Sequence, residues 1–314
     1  MATVSKVLNS RYGVAVSTSE RVQAAIDELG YESSLVARSL RSHRTNVIGV
    51  LVGEFDAFGC EILKGTSQAI GRTGYELLAY CGGDTAGWER RCLSRLGGTL
   101  IDGAILVTPT VAEASASVPV VAIDPQAGPT GLPTVDSDNF GGAVLATEHL
   151  LRLGHRRIGF LGGRPDLESS RQREEGYRMT LAGAGIAVDP ALMRVGGYRR
   201  ESAREPAHDL LTLQERPSAI FAANDLSALG TLDAARELGM SAPDDISVVG
   251  FDDVPESALT EPSLTTVHQP IQLMGAAAVR LLIDLLDGRG DRSAHVRLPT
   301  ELVERGSTRA LSAS

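Results

Sequence analysis

SAIFAANDLSALGTLDAARELGMSAPDDISVVGFDD (218–253) holds two short apolar runs, SAIFAAN (218–224) and ISVVGFD (246–252), on either side of a helical stretch from about 226 to 238. Short runs rich in Ile, Val and Ala, joined through an amphipathic helix, read as buried parallel strands covered by helices. Each run ends in polar residues, Asn224 and Asp225 after the first and Asp252 and Asp253 after the second. In an open α/β sheet, ligands lie beyond the carboxyl ends of the strands, so these residues mark the rim of a candidate cleft.

The same alternation continues in both directions. Upstream lie RRIGFLGG (156–163), a helix near 169–184, a short strand around Met193 and a helix near 201–213. Farther back, VIGVLV (47–52), a helix around 59–72, YELLAYC (75–81), a helix around 86–96, IDGAILV (101–107), VPVVAID (118–124) and a helix near 140–153 form an earlier set. Downstream, LTTVHQP (264–270) leads to the long helical stretch IQLMGAAAVRLLIDLLDG and to VRLPTELVERGSTR, which alternates like a strand. So many elements exceed one compact sheet and predict an α/β fold of two doubly wound parallel-sheet lobes. The first lobe is placed at about 47–150 plus part of 270–309, and the second at about 151–269 plus a late strand. Asp124 with Pro125, and Gly162 with Gly163, end further strands on the cleft side.

Composition changes near residue 46. Residues 1–46 carry six Lys or Arg against four acids, hence +2, whereas the remainder carries −11 of the net −9. A cationic head on an acidic body can meet a phosphate backbone; an ordinary solvated helical surface has the same charge. In the head, TVSKVLN (3–9) and VSTSERVQAAIDELGY (16–31) read as short helices, the second capped by Ser19 and stopped by Gly30. LVARSLRS (35–42) is a third helical stretch, and 1–46 is predicted as an all-α segment separate from 47–314.

Several classes find no support. Cys60, Cys81 and Cys92 are too few and scattered for a disulfide framework, and neither they nor the six histidines show metal-ligand spacing. The chain lacks GxxxxGK[ST] and GxSxG, so no phosphate-cradling loop or nucleophile elbow points to an enzyme. With no run of eighteen apolar residues and no apolar signal core at the N-terminus, a cytoplasmic protein without cofactor, metal or membrane partner is expected.

Taken together, GHRRIGFLGG (154–163), AIFAANDLSALG (219–230), APDDISVVGFDD (242–253), PSLTTVHQP (262–270) and LVERGSTR (302–309), in that order and preceded by TVSKVLN and LVARSLRS, resemble the lactose and galactose repressor family of bacterial transcription regulators. The resemblance implies periplasmic-binding-protein-like lobes preceded by a helix-turn-helix head and a hinge helix. TVSKVLN matches the recognition helix, and the family's first helix and turn precede this point. The head is therefore expected to be partial, with Met1 corresponding to an internal methionine of the longer head. TVSKVLN exposes Thr3, Ser5, Lys6 and Asn9, groups able to reach base edges or phosphates; by resemblance, Ala2, Lys6 and Asn9 face the major groove, Arg38 lies in the hinge helix, and Leu40 is the apolar wedge between base pairs of a pseudopalindromic operator.

For the lobes, the resemblance implies a cleft that closes on an effector. Asp252 matches the carboxylate that accepts from ligand hydroxyls, and Arg173, before EEGY, the donor opposite it. Asn224 and Asp124 match further cleft groups, Tyr198 an aromatic ring that stacks on the ligand, and Phe58 an aromatic wall. Ser169 and Gln269 complete the expected set. Acceptors, a guanidinium fork and aromatic faces suit a polyol; the same residue types also serve as caps, ion pairs and core aromatics. Leu167 stands where purine-responsive members carry an arginine, which favours a sugar or glycoside. An effector that lowers operator affinity is expected. The alternatives are a corepressor-dependent regulator and a solute-binding protein without DNA function. The tail LSAS carries no apolar heptads, so a homodimer is expected, in contact through the helices near 58–72 and 86–96 and their second-lobe equivalents.

Overall fold

The computed structural model describes residue 7 and residues 13–29, 44–83, 85–111, 116–128 and 131–311. The chain divides into two compact units, Met1–Thr45 and Asn46–Ser314. In the first, α1 spans Val16–Leu29. The Ser19 N–H already donates to the Ala15 carbonyl at 2.9 Å. Ser19 therefore lies inside the first turn and does not cap it, a correction to the predicted start. TVSKVLN apart from Val7, LVARSLRS and Gly30 lie outside the described residues, and with them Ala2, Thr3, Ser5, Lys6, Asn9, Arg38 and Leu40.

The second unit contains two six-stranded sheets. The first is built from β1 (Val47–Val52), β2 (Glu76–Cys81), β3 (Gly103–Val107), β4 (Val120–Ile123), β5 (Thr134–Ser137) and β11 (His295–Leu298), in the order β11-β5-β4-β3-β1-β2. All of its pairings are parallel. The second comprises β6 (Ile158–Gly162), β7 (Met193–Val195), β8 (Ala219–Ala222), β9 (Ser247–Asp252), β10 (Thr265–His268) and β12 (Glu301–Val303), in the order β12-β10-β9-β8-β6-β7. Only its edge pairing, β12 with β10, is antiparallel.

The apolar runs become central strands because both faces are covered: β1, β3, β6, β8 and β9 are buried along their whole length. The edge strand β2, by contrast, has only exposed and half-buried positions. On the first sheet lie α2 (Ala57–Ile70), α3 (Trp88–Leu96) and α9 (Ile271–Leu286). The second carries α4 (Asn139–Arg152), α5 (Glu168–Gly183), α6 (Arg200–Leu211) and α7 (Asp225–Glu237), with the short α8 (Pro255–Leu259) after β9. Helices α2 and α9 approach through glycine: a Cβ on Gly65 would lie 2.0 Å from the Gln272 carbonyl oxygen, and one on Gly275 2.6 Å from that of Ile62.

Two elements depart from expectation. Strand β5, TVDS, has a single large apolar residue, Val135, and carries no periodic signal, yet it pairs between β4 and β11. Helix α4 was placed in the first lobe by the boundary near 150, but Ala143, Ala146 and Leu150 pack with Phe160, Tyr177, Phe251 and Val267 of the second. The chain has already left the first sheet after Ser137. It returns between β10 and α9 and crosses again between β11 and β12, so three connections join the sheets.

Candidate effector cleft

Strand ends supply the acids of the cleft. Asp124 directly follows β4 with φ +47°, and Asp252 ends β9 with φ +117°. Both positions require the left-handed side of backbone space, which turns the chain sharply off the sheet. Asn224 follows β8 and caps α7, its Oδ1 accepting the Ser227 N–H at 2.9 Å while its Nδ2 donates to the Tyr198 carbonyl at 3.1 Å. That second bond holds Tyr198, itself at φ +66°, over the cleft.

Arg173 projects from α5 and is 3% exposed. Its Nε donates to Asn139 Oδ1 at 2.9 Å, and its Nη1 reaches the Ala223 carbonyl at 2.5 Å and Asp252 Oδ1 at 3.4 Å. The guanidinium lies 3.8 Å from the centre of the Phe251 ring and 5.6 Å from that of Tyr198. Two aromatic faces against one cation provide favourable contact and fix its plane. Asn139 then donates to Asp124 Oδ1 at 3.4 Å, so one chain of polar groups runs from Asp124 to Asp252.

Burial dominates the electrostatics. It pushes the Asp252 carboxyl up to about 8, against the opposing pull of Arg173. Burial also raises Asp124 and Tyr198, with Arg173 opposing in both cases. Asp56, which caps α2 by accepting the Gly59 N–H at 2.7 Å, is raised by burial as well.

Seven of the eight expected effector residues, namely Phe58, Asp124, Ser169, Arg173, Tyr198, Asn224 and Asp252, line one cavity of about 240 Å³ in the second unit. Gln269 does not. It is 1% exposed, its Nε2 donates to Asp252 Oδ1 at 2.6 Å, and its Oε1 accepts from Ser137 Oγ. It thus joins two of the connections between the sheets behind the cleft, a correction to its predicted place in the lining. Strand-end logic missed Glu54 and Asp56, which follow β1, and Thr110, which follows β3. Trp88, the sole tryptophan of the chain, and Gln126 also line the cavity. Tryptophan content was a usable signal; the role of Gln126 depends on a tertiary contact.

The lining combines carboxylates, amides, two arginines and three aromatic side chains, a set that can orient a hydroxyl-rich ligand by paired donors, acceptors and ring faces. Among the described residues, no group of three or more His, Cys, Asp or Glu is placed to hold a metal ion, and no helix is long and apolar enough to cross a membrane.

Comparison with known proteins bears on this architecture. Residues 1–34 match the family described as bacterial regulatory proteins, lacI family, and residues 147–308 match the periplasmic binding protein-like domain. The HTH-type transcriptional regulator CelR of Thermobifida fusca is 34% identical, over 97% of this chain and 94% of that protein. The HTH-type transcriptional repressor PurR of Haemophilus influenzae (strain PittEE) is 31% identical, over 98% and 95%. Among solved structures, a transcriptional regulator CelR-cellobiose complex superposes with TM-score 0.78 at 32% identity, covering 98% of this chain and 95% of the other. The lac repressor dimer bound to operator and the anti-inducer ONPF gives TM-score 0.87 at 29% identity, with the same coverage. The chain therefore belongs to the lacI family of bacterial regulatory proteins and is a sequence-specific DNA-binding regulator of transcription, not an enzyme.

Proposed function

We propose that this regulator is a cytoplasmic repressor that binds an uncharged sugar or glycoside in the cleft of the second unit, and that occupancy lowers its affinity for a pseudopalindromic operator. The polar chain Asp124–Asn139–Arg173–Asp252, spanning the two sheets, carries the reading. A hydroxyl-rich ligand offers donors to the carboxylates and acceptors to Arg173, while Tyr198, Phe58 and Trp88 supply faces for sugar C–H groups. Glu54, Asp56, Asp124 and Asp252 line the cavity beside Arg164 and Arg173, and the burial that holds protons on the carboxyls suits an uncharged ligand. The cellobiose of the 32% identical relative supports the glycoside class.

On the DNA side, Ala2, Thr3, Ser5, Lys6 and Asn9 contact the major groove, and Arg38 and Leu40 the minor groove, as the family resemblance implies. Residues 1–46 are the head and 47–314 the effector-binding body; the compact unit ending at Thr45 supports that division. Two copies form a dimer, as in the operator-bound relative, and linkage ties cleft occupancy to the pairing of the heads.

The test is a thermal-shift screen of pentoses, hexoses and disaccharides, followed by fluorescence anisotropy on duplexes from upstream of the gene. A sugar that raises the melting temperature and weakens operator binding is expected. Tighter operator binding with the sugar would overturn the inducer assignment, and no stabilisation by any sugar would overturn the ligand class.

A further inference from the structure

Helix α5 lacks a side-chain cap from its own N-cap residue: Leu167 precedes it and offers no side-chain acceptor. The first N–H groups of a helix nevertheless need partners. Here they find them on the other lobe. The Gln126 carbonyl accepts the Glu168 N–H at 3.1 Å, and Gln126 Oε1 accepts both the Ser169 N–H at 3.3 Å and Ser169 Oγ at 2.9 Å. Gln126 follows β4 of the first sheet, whereas α5 packs on the second.

The other end of the same amide points to the candidate ligand group. Gln126 Nε2 donates to Asp124 Oδ2 at 2.7 Å and to the Asp124 carbonyl at 3.0 Å, and its own N–H is fixed by the Pro109 carbonyl at 2.8 Å. At 5% exposure, this side chain has little room to move. Ser169 Oγ lies 3.2 Å from the Tyr198 hydroxyl, so the link continues into the aromatic wall of the second lobe. A primary amide can donate at one end and accept at the other without charge.

We propose that Gln126 is a positioning residue that caps α5 across the cleft while holding Asp124, so that a ligand engaging Asp124 is registered as closure of the two lobes. The capping half stands on contacts of the structure itself; the ligand half rests on the sugar-binding reading above. A ligand hydroxyl at Asp124 adds a donor to the carboxylate that Gln126 already orients, and any shift of Asp124 is passed to the first turn of α5. That helix also carries Arg173, so both polar walls move with the cap.

Two variants separate the halves. Gln126→Leu removes donor and acceptor, whereas Gln126→Glu keeps an acceptor favoured at a helix N-terminus and replaces the donor to Asp124 with a carboxyl oxygen that repels it. In full-length protein without sugar, hydrogen exchange of the Ser169 amide, whose partner is Gln126 Oε1, should be slow in wild type and Gln126→Glu and faster in Gln126→Leu, while the Glu168 amide, bonded to the Gln126 carbonyl, should change less. With cellobiose, and then the other sugars of the screen, Gln126→Glu should lose about tenfold in affinity, the scale of one hydrogen bond to a charged group. Gln126→Leu at saturating sugar should also release operator less completely than wild type.

Equal exchange at Ser169 in wild type and Gln126→Leu overturns the cap, whatever the ligand. Wild-type sugar affinity and operator release in both variants overturn the link to Asp124. Failure of the sugar reading itself is recognised separately, by wild-type protein that responds to no sugar.

Discussion

On the second-lobe wall of the cleft, Arg173 is held by Asn139, the Ala223 carbonyl, Asp252 and the Phe251 ring, and Asn224 is tied at once to Ser227 and Tyr198. On the first-lobe wall, Glu54 is half exposed and paired with Arg199 of the opposite lobe, Asp56 is used as a helix cap, and Phe58 and Trp88 present ring surface. The second-lobe wall is held by bonds within that lobe, whereas Glu54 on the first-lobe wall is held by a residue of the opposite lobe. Under the proposed sugar reading, the difference would give orientation of the ligand to the second lobe and discrimination among ligands to the first.

The largest expected effect comes from breaking the internally bonded wall. Arg173→Leu leaves Asp252, Asn139 and the Ala223 carbonyl without their buried partner and should cost about 3–5 kcal/mol of stability, the usual scale for removing one member of a buried pair. Urea denaturation measures it, and a loss under about 1 kcal/mol would mean those bonds do not hold the wall. Asp124→Asn on the opposite side is the sharper contrast. Burial already raises that carboxyl, so a neutral amide of the same shape should leave stability within about 1 kcal/mol while weakening sugar binding about tenfold. Calorimetry separates the two outcomes, and equal stability losses at both sites would erase the contrast.

The same asymmetry governs what was legible in the sequence. Asn224 and Asp252 end runs that are continuous and apolar because their strands are buried on both faces, so strand-end reasoning reached them. Asp124 was reached in the same way. Arg173, Tyr198, Phe58 and Ser169 lie inside helices or loops with no local mark and came from family resemblance. Gln126 and Asn139 escaped both routes, because an amide becomes functional only when distant groups meet it: Ser169 is 43 residues from Gln126, and Arg173 is 34 residues from Asn139. Gln269 failed in the opposite direction. It follows strand β10, but its side chain turns back to Ser137, 132 residues away. In the fold, the four residues of β5 show too little periodicity to register, and the membership of α4 is decided by where the chain crosses between sheets.

The smallest effect, and the most selective, is the pH dependence of the second-lobe wall. Asp252 has an ordinary value of 3.8, is pushed up to about 8 by burial, and is adjacent to Asp225, which burial raises to about 6. A carboxyl raised in the folded protein keeps a proton that the unfolded chain releases. Its stabilising effect is therefore complete below about pH 4 and is lost as pH rises toward 8, with Asp225 contributing to the lower part of that window. Sugar binding has the opposite slope. Hydroxyl donors favour the charged carboxylate, so binding expels protons and affinity should rise a few-fold from pH 6 to 8 before levelling, with up to tenfold for each unit by which the ligand lowers the Asp252 value. Calorimetry in two buffers of different ionisation enthalpy counts the protons directly. Asp252→Asn should flatten most of the slope, leaving what Asp124 contributes, and a proton count of zero in wild type would mean that the ligand sets no hydroxyl donor on either raised carboxyl.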